Sequence, residues 1–213
     1  MKNTILIIIL LLCVISIPSK AQLIKSYGVK IAVTTAHHTW KSSNTNWTYE
    51  PEKRRVGFNL ALYAEWLNTP LFSILTQLEY TQRGFGEEFN RRDEFNNDLG
   101  TITKYTRFDY LSLPILCKVR VPIGTVSPFI QVGPRIDYFL GYKDDLYPNR
   151  SMWKDSKENI FGLSFSIGAE INNLLPFILS TEFRYNMDLT NSYESQTLKI
   201  RNNAFDFWIG VGL

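Results

Sequence analysis

Cysteine and histidine are scarce in this chain, and their scarcity removes several kinds of chemistry. The 213 residues include two cysteines, Cys13 and Cys117, and two histidines, His37 and His38. Cys13 lies in an apolar N-terminal stretch, where Leu12 stands at the position of the small residue that should precede a lipidated cysteine, so a cleaved signal is favoured over a lipoprotein anchor. Its removal leaves Cys117 without an internal disulfide partner. No cluster of cysteine and histidine has metal-ligand spacing, so we expect no zinc site and no cofactor.

Long apolar runs are missing after the N-terminus. Lys2, the apolar stretch 5–17 and the small-x-small pattern at 19–21 predict an export signal over residues 1–21 and one mature domain over residues 22–213. No later segment approaches the roughly 18 to 20 uninterrupted apolar residues of a transmembrane helix. If the mature chain resides in a membrane, it must cross it as strands.

A strong excess of one charge is also absent. The chain has 23 lysines and arginines against 20 acidic residues, a formal net charge of +3, and the two signs are interspersed. This balance is unlike that of a nucleic-acid-binding protein, so we expect no nucleic-acid partner.

What the sequence does contain is eight segments in which apolar and polar residues alternate. The period of two predicts β-strands, and their lengths approach the roughly 9 to 11 residues of a tilted bilayer crossing. The predicted strands are 26–34, 56–66, 72–83, 110–119, 129–140, 161–171, 179–186 and 204–213.

The connections between these strands alternate in length. Three are short, 67–71, 121–125 and 172–176, and four are long and polar, 35–55, 84–106, 142–158 and 187–202. Short turns on one side and long loops on the other are typical of barrels in bacterial outer membranes. The predicted fold is therefore all-β: an eight-stranded antiparallel transmembrane β-barrel, an up-and-down meander with short periplasmic turns and long extracellular loops. Its predicted location is the bacterial outer membrane.

The two faces of the strands differ in composition, which predicts their orientation. One face holds Leu, Ile, Val, Phe and Ala with aromatics near the ends, as a lipid-facing band does, and the other mixes glycine with charges of both signs. A soluble ligand-binding barrel would place the apolar face inward, and this remains the alternative. The asymmetry of the loops favours the membrane barrel.

The predicted inward face carries charges of both signs in near balance. An eight-stranded barrel is only wide enough to be filled by side chains, and ions removed from water must be paired. We therefore predict a structural polar network in the lumen, with a gate, proton path, ion-conducting pore or binding site as the alternative. The predicted members are Lys30, Glu65, Glu79, Arg83, Lys118, Arg135, Asp137, Glu170, Glu182, Arg184 and Asp206.

Catalysis is a second hypothesis. A lipid-modifying enzyme of the outer leaflet would use a histidine with a serine and a carboxylate, since the histidine activates an otherwise weak hydroxyl nucleophile. The sequence gives these candidates no fixed spacing, so we favour a barrel without enzymatic activity. The candidates are His37 and His38 in the first long loop, Ser42, Ser43, Asp93 and Asp109.

The long loops carry mixed charges, which indicates solvated surfaces that contact lipopolysaccharide phosphates or a neighbouring envelope protein. Outer-membrane lipid, lipopolysaccharide and other envelope proteins are therefore the expected partners.

Seven strings of the mature chain resemble, in order, the PorT-type outer-membrane β-barrel domain family of Bacteroidota. They are 27–30, 56–65, 78–84, 110–114, 129–134, 182–186 and the closing strand. Two features depart from the family pattern: 186–189 lacks the usual glycine, and Leu213 stands where a terminal aromatic is commoner. The resemblance implies location and architecture, and the association of a few members with the type IX secretion system makes an accessory role in a secretion or transport complex an expectation.

Overall fold

The computed structural model describes residues 24–42, 47–49, 51, 53–67, 69–145, 153, 156–172 and 176–213. The predicted signal at 1–21 lies outside these ranges. Within them, no helix is long and apolar enough to span a membrane. The strands are β1 Ile24–Ser42, β2 Thr48–Tyr49, β3 Lys53–Trp66, β4 Phe72–Arg92, β5 Asp98–Arg120, β6 Val126–Asp144, β7 Asn159–Ile171, β8 Ile178–Asp188, β9 Tyr193–Glu194 and β10 Leu198–Gly212.

Eight of these strands form a closed antiparallel ring. Each long strand pairs with the next in the chain, and β1 pairs with β10 from Gly28 with Gly212 to Ser42 with Leu198, which closes the sheet. The remaining two, β2 and β9, are two residues long and extend β1 and β10. The described part of the chain thus has ten strands where eight were predicted, but the ring itself has eight.

Alternation along each strand sorts side chains to the outside or the inside of the ring. On β1, Ile31 is 60% exposed, whereas its neighbours Lys30 and Ala32 are 3% and 7% exposed. On β7, Phe165 is exposed and Ser164 is buried. The outward side chains are therefore the apolar ones, as a lipid-facing surface requires. The alternative with the apolar face inward is wrong for these strands.

The strands run much farther than predicted, into segments that were assigned to the long loops. β4 continues to Arg92 and β5 begins at Asp98, so that most of the predicted loop 84–106 is strand. Parts of the predicted loops 35–55, 142–158 and 187–202 are also strand, since β1 ends at Ser42, β6 at Asp144 and β10 begins at Leu198.

The physical reason for this error is an inversion of the alternation. On β4, Leu78 is exposed, but seven residues later Phe85 is 1% exposed and faces the interior. Beyond the bilayer the outside of a strand meets water, so its outward positions become polar while apolar side chains fill the interior. The apolar residues of β4 therefore shift from even-numbered to odd-numbered positions. The alternation in the sequence breaks at this point although the strand continues, because only the surroundings of the strand change.

One hairpin projects beyond the others. β4 and β5 pair from Glu87 with Lys104 to Arg92 with Asp98, past Gly86, the last described partner of β3. At about 3.3 Å per residue this two-stranded extension is roughly 20 Å long. We call residues 87–104 the arm.

The tip of the arm is held by Asp93. Its carboxylate accepts hydrogen bonds from the backbone N–H of Phe95 at 2.9 Å and of Asn97 at 2.8 Å. The side-chain amide of Asn97 also donates to this carboxylate, at 2.8 Å. This bond is the largest cause, and the backbone bonds a further one, of a pKa of Asp93 below its ordinary value. Phe95, at the centre of the turn, is 85% exposed.

Candidate functional site in the lumen

The interior of the ring holds three clusters, each with two cations and two carboxylates. The cluster nearest the short turns, which we call the turn-side quartet, consists of Glu65, Lys118, Arg120 and Glu170. Lys118 Nζ lies 3.0 Å from Glu65 and also contacts Glu170. Arg120 contacts Glu65 and lies 3.1 Å from Glu170, so each cation touches both carboxylates. All four side chains are buried.

The middle quartet consists of Lys30, Glu79, Glu182 and Arg184. Arg184 lies 2.6 Å from Glu182 and 2.5 Å from Glu79, and Lys30 lies 2.8 Å from Glu182. The Arg184 guanidinium also lies 5.0 Å from the ring centroid of the fully buried Trp208, close enough for a cation–π interaction.

The loop-side quartet consists of Arg83, Arg135, Asp137 and Asp188. Arg83 lies 2.8 Å from Asp137 and 3.3 Å from Asp188. Arg135 lies 2.9 Å from Asp137 and 2.5 Å from Asp188. The hydroxyl of Ser112 donates a further hydrogen bond of 2.5 Å to Asp137.

The quartets connect strands that are not neighbours in the sheet. The turn-side quartet joins β3, β5 and β7, the middle one joins β1, β4 and β8, and the loop-side one joins β4, β6 and β8. Each quartet is electrically neutral, which allows charges to be held away from water. The arrangement braces the ring from the inside and fills its lumen.

All eleven side chains predicted to form the polar network are buried. Ten of them belong to the quartets. The exception is Asp206, which accepts a hydrogen bond of 2.6 Å from the side-chain amide of Asn186 and forms no ion pair with any described residue.

Two quartet members were missed in the sequence. Arg120 lies two residues after Lys118, and Asp188 lies four residues after Arg184, so both lie on the inward face. Their even-numbered positions match those of the inward side chains on the same strands and could have identified them. The predicted strands ended too early, one residue before Arg120 and two residues before Asp188.

An aromatic cluster closes the interior on the loop side of the quartets. We call Phe85, Phe108, Tyr110, Trp153, Ile160 and Ile200, all at most 2% exposed, the aromatic plug. Trp153 packs edge-on against Phe108 with ring centroids 4.9 Å apart, and its indole N–H donates to Asp144 at 2.9 Å. Arg83 of the loop-side quartet lies 5.3 Å from the ring of Tyr110, so the plug rests directly on that quartet.

The candidate histidines lie on β1 and not in a loop, which corrects the prediction. His38 is 1% exposed, and its ring stacks on Phe108 at 5.2 Å and lies 5.0 Å from Phe85. Neither of its nitrogens has a hydrogen-bond partner among the residues that the structure describes. His37 pairs with Asn203 of β10 in the ladder. His38 therefore packs as part of the interior.

The other candidate catalytic residues are not brought to His38. Asp93 holds the tip of the arm, and Asp109 lies on the outer surface, where it accepts a hydrogen bond of 2.9 Å from the Tyr80 hydroxyl. Ser42 ends β1, and Ser43 lies outside the described residues. Within the described ranges, no three side chains of His, Cys, Asp or Glu are grouped as a metal site requires.

Three solved structures illustrate what this chain is similar to. AlkL, studied in lipid bilayers, has 11% sequence identity over 92% of this chain and 94% of its own, with a TM-score of 0.53. OprG from Pseudomonas aeruginosa has 12% identity over 88% and 94%, with a TM-score of 0.49. Neisserial surface protein A has 16% identity over 87% and 96%, with a TM-score of 0.46. At these identities the likeness concerns the fold alone. No curated protein sequence is significantly similar to the chain.

A family comparison identifies the chain more firmly. Residues 21–194 match the model of the outer membrane protein beta-barrel domain. This match covers most of the chain and agrees with the closed ring and its apolar outer surface. The chain belongs to the outer membrane protein beta-barrel domain family, which places it in the outer membrane of a bacterium.

Proposed function

We propose that this protein is a non-enzymatic barrel with a structural and interaction role, whose partner is another protein of the bacterial envelope. The observation that carries the proposal is the filled lumen: three neutral quartets are stacked below an aromatic plug. A transport route needs a continuous wet path, and a barrel of eight strands has no space for one beside these side chains. The interior therefore serves stability, and the surface outside the membrane serves function.

The arm is the part of that surface best suited to a protein partner. Within the described part of the chain, no third strand flanks the outer end of the arm, where Asn90 pairs with Thr101 and Arg92 with Asp98, so an extended segment of another protein can pair with its edges. Phe95 and Leu99 are exposed at its end. The resemblance to PorT-type barrels favours a secretion or transport complex as the setting.

Removal of the arm tests the interaction. Gly86 and Tyr105 are paired directly across β4 and β5, so a two-residue Asn-Gly turn can connect them in place of residues 87–104. We expect the wild-type protein, purified from gently solubilised membranes, to retain a defined envelope protein that the trimmed variant loses. The trimmed variant should still show the heat-modifiable migration of a folded barrel, because the quartets and the ring closure remain.

Two results would contradict the proposal. One is retention of the same protein set by the wild-type and trimmed barrels. The other is an altered lipid A acyl pattern in a deletion strain, restored by the wild-type gene but not by His37→Ala or His38→Ala. The second result would identify the protein as the rival lipid-modifying enzyme.

A further inference from the structure

A basic pocket lies on the outer surface of the ring, next to the lipid-facing side chains. It has a volume of about 420 Å³. We call it the rim pocket, and it is lined by Arg54, Arg55, Val56, Tyr105, Arg107, Lys143 and Asp145.

The rim pocket faces outward at the loop-side edge of the apolar band. Arg107 lies between Thr106 and Phe108, which are both buried inside the ring, so its own side chain points out. Val56 is 63% exposed and is the last outward apolar side chain of β3 before Arg55 and Arg54. Because long hairpins face the exterior of the cell, this edge lies at the headgroups of the outer leaflet.

Two glycines of β4 lie against residues that line the pocket. Gly84 is paired with Arg107 and Gly86 with Tyr105 across the β4–β5 ladder. A Cβ at Gly84 would lie 2.9 Å from Arg55 Cδ, and a Cβ at Gly86 would lie 2.7 Å from the Tyr105 ring. The absence of side chains on β4 allows residues of β3 and β5 to converge over it.

The positive charges around the pocket exceed the negative ones. Arg107 lies 3.1 Å from Asp109, and Lys143 lies 3.5 Å from Asp145. These two carboxylates face four cations, since Arg54 and Arg55 also line the pocket. The described groups around the pocket therefore carry an excess of two positive charges.

The guanidinium groups also have hydrogen-bond donors to spare. Among the described residues, Arg55 donates only a long bond of 3.5 Å to the neutral side chain of Gln82, and its Nη1 is buried without a partner there. Nε of Arg107 is likewise buried without a partner. Arg55 and Arg107 are near enough to repel each other electrostatically. An anion between them would relieve the repulsion and accept the free donors.

Two basic residues on the opposite side of the ring, Lys199 and Arg201, differ from Arg55 and Arg107 in their hydrogen bonding. Lys199 lies 3.3 Å from Glu194, and Arg201 Nε donates to Asn191 at 3.0 Å. Both are exposed near the same edge, and among the described residues neither has a buried donor without a partner. They provide a control of equal charge.

We propose that the rim pocket binds the phosphate group of an outer-leaflet glycolipid. Guanidinium groups match phosphate geometry, because they offer paired N–H donors. Val56 lies directly below, where the acyl chains of the same lipid would cover it. This inference rests on residence in the outer membrane and not on the interaction role of the arm, so that either can fail without the other.

Lipid binding to the purified full-length barrel tests the inference. The probes are monophosphoryl lipid A, the same lipid after removal of its phosphate, and inorganic phosphate, each titrated in neutral detergent. We expect Arg55→Gln/Arg107→Gln to weaken binding of the phosphorylated lipid by about tenfold or more, since two charge-assisted contacts are lost. Lys199→Gln/Arg201→Gln, with the same change in net charge, should leave the affinity within about threefold of the wild type, because these residues lie on β10, across the ring from the rim pocket.

A second double variant keeps the test informative if the first one does not fold. Arg54→Gln/Lys143→Gln changes exposed side chains only and should weaken binding in the same direction. Equal losses in the rim pocket and control variants would show that any rim charge suffices and would overturn the proposal. So would equal affinity for the lipid without phosphate, or an affinity for inorganic phosphate as high as that for the lipid.

Discussion

At the scale of single residues, five of the six quartet cations each contact two buried carboxylates. Arg184 is the clearest case, because it lies within 2.6 Å of Glu182 and 2.5 Å of Glu79 and is completely buried. A buried ion pair adds little net stability compared with apolar side chains of the same volume, but removal of one partner leaves the other charged without compensation. The quartets therefore make the fold sensitive to single changes.

Arg184→Ala should lower the free energy of unfolding by about 3 to 5 kcal/mol, because it leaves buried Glu79 without a cation among the described residues and buried Glu182 with Lys30 alone. Lys53→Ala removes an exposed ion pair with Glu88 of 3.0 Å and should change stability by about 1 kcal/mol or less. Urea unfolding of the reconstituted barrel, followed by tryptophan fluorescence, measures both. Equal effects of the two substitutions would contradict the structural role of the middle quartet.

At the scale of the strands, the alternation of β7 determines which side chains meet lipid. Phe165 lies in the middle of the apolar surface and Phe161 near its loop-side end, and both are exposed to a similar degree. Phe165→Arg should destabilise the barrel by about 2 to 4 kcal/mol, whereas Phe161→Arg should cost about 0 to 1 kcal/mol, since the penalty falls with distance from the bilayer centre. The same unfolding assay compares them. An equal penalty at both positions would mean that β7 does not cross the bilayer as assigned.

The strands also show how far the sequence allows prediction. The inward and outward faces follow from a period of two and need no structure, which is why the predicted lumen side chains are all buried. The ends of the strands cannot be predicted from this alternation, because outside the bilayer apolar side chains such as Phe85 and Phe108 face the interior and not the exterior. The composition of each quartet also escapes prediction, since Arg83 and Asp188 meet across the ring and the sequence contains no information on the relative heights of distant strands.

At the scale of the whole molecule, charged and aromatic side chains occupy different levels along the axis of the barrel. Neutral quartets occupy the part of the interior that lies within the membrane, and the aromatic plug lies above them, where the strands extend beyond the lipid. Along the same axis, the outer surface changes from apolar side chains to the basic side chains of the rim pocket. The arm projects beyond both. We therefore propose three separate roles: a closed interior that stabilises the fold, a rim that contacts lipid and an arm that contacts a protein partner.

Ion conductance across planar bilayers tests the closed interior most directly. Full-length protein reconstituted at low density should give no steady current steps, while a porin measured in the same bilayers gives them. The account predicts that Arg184→Ala lowers stability without producing a defined channel. A steady unit conductance in the wild-type protein, altered by Arg184→Ala with no loss of stability, would show that the middle quartet is a gate and would contradict the account.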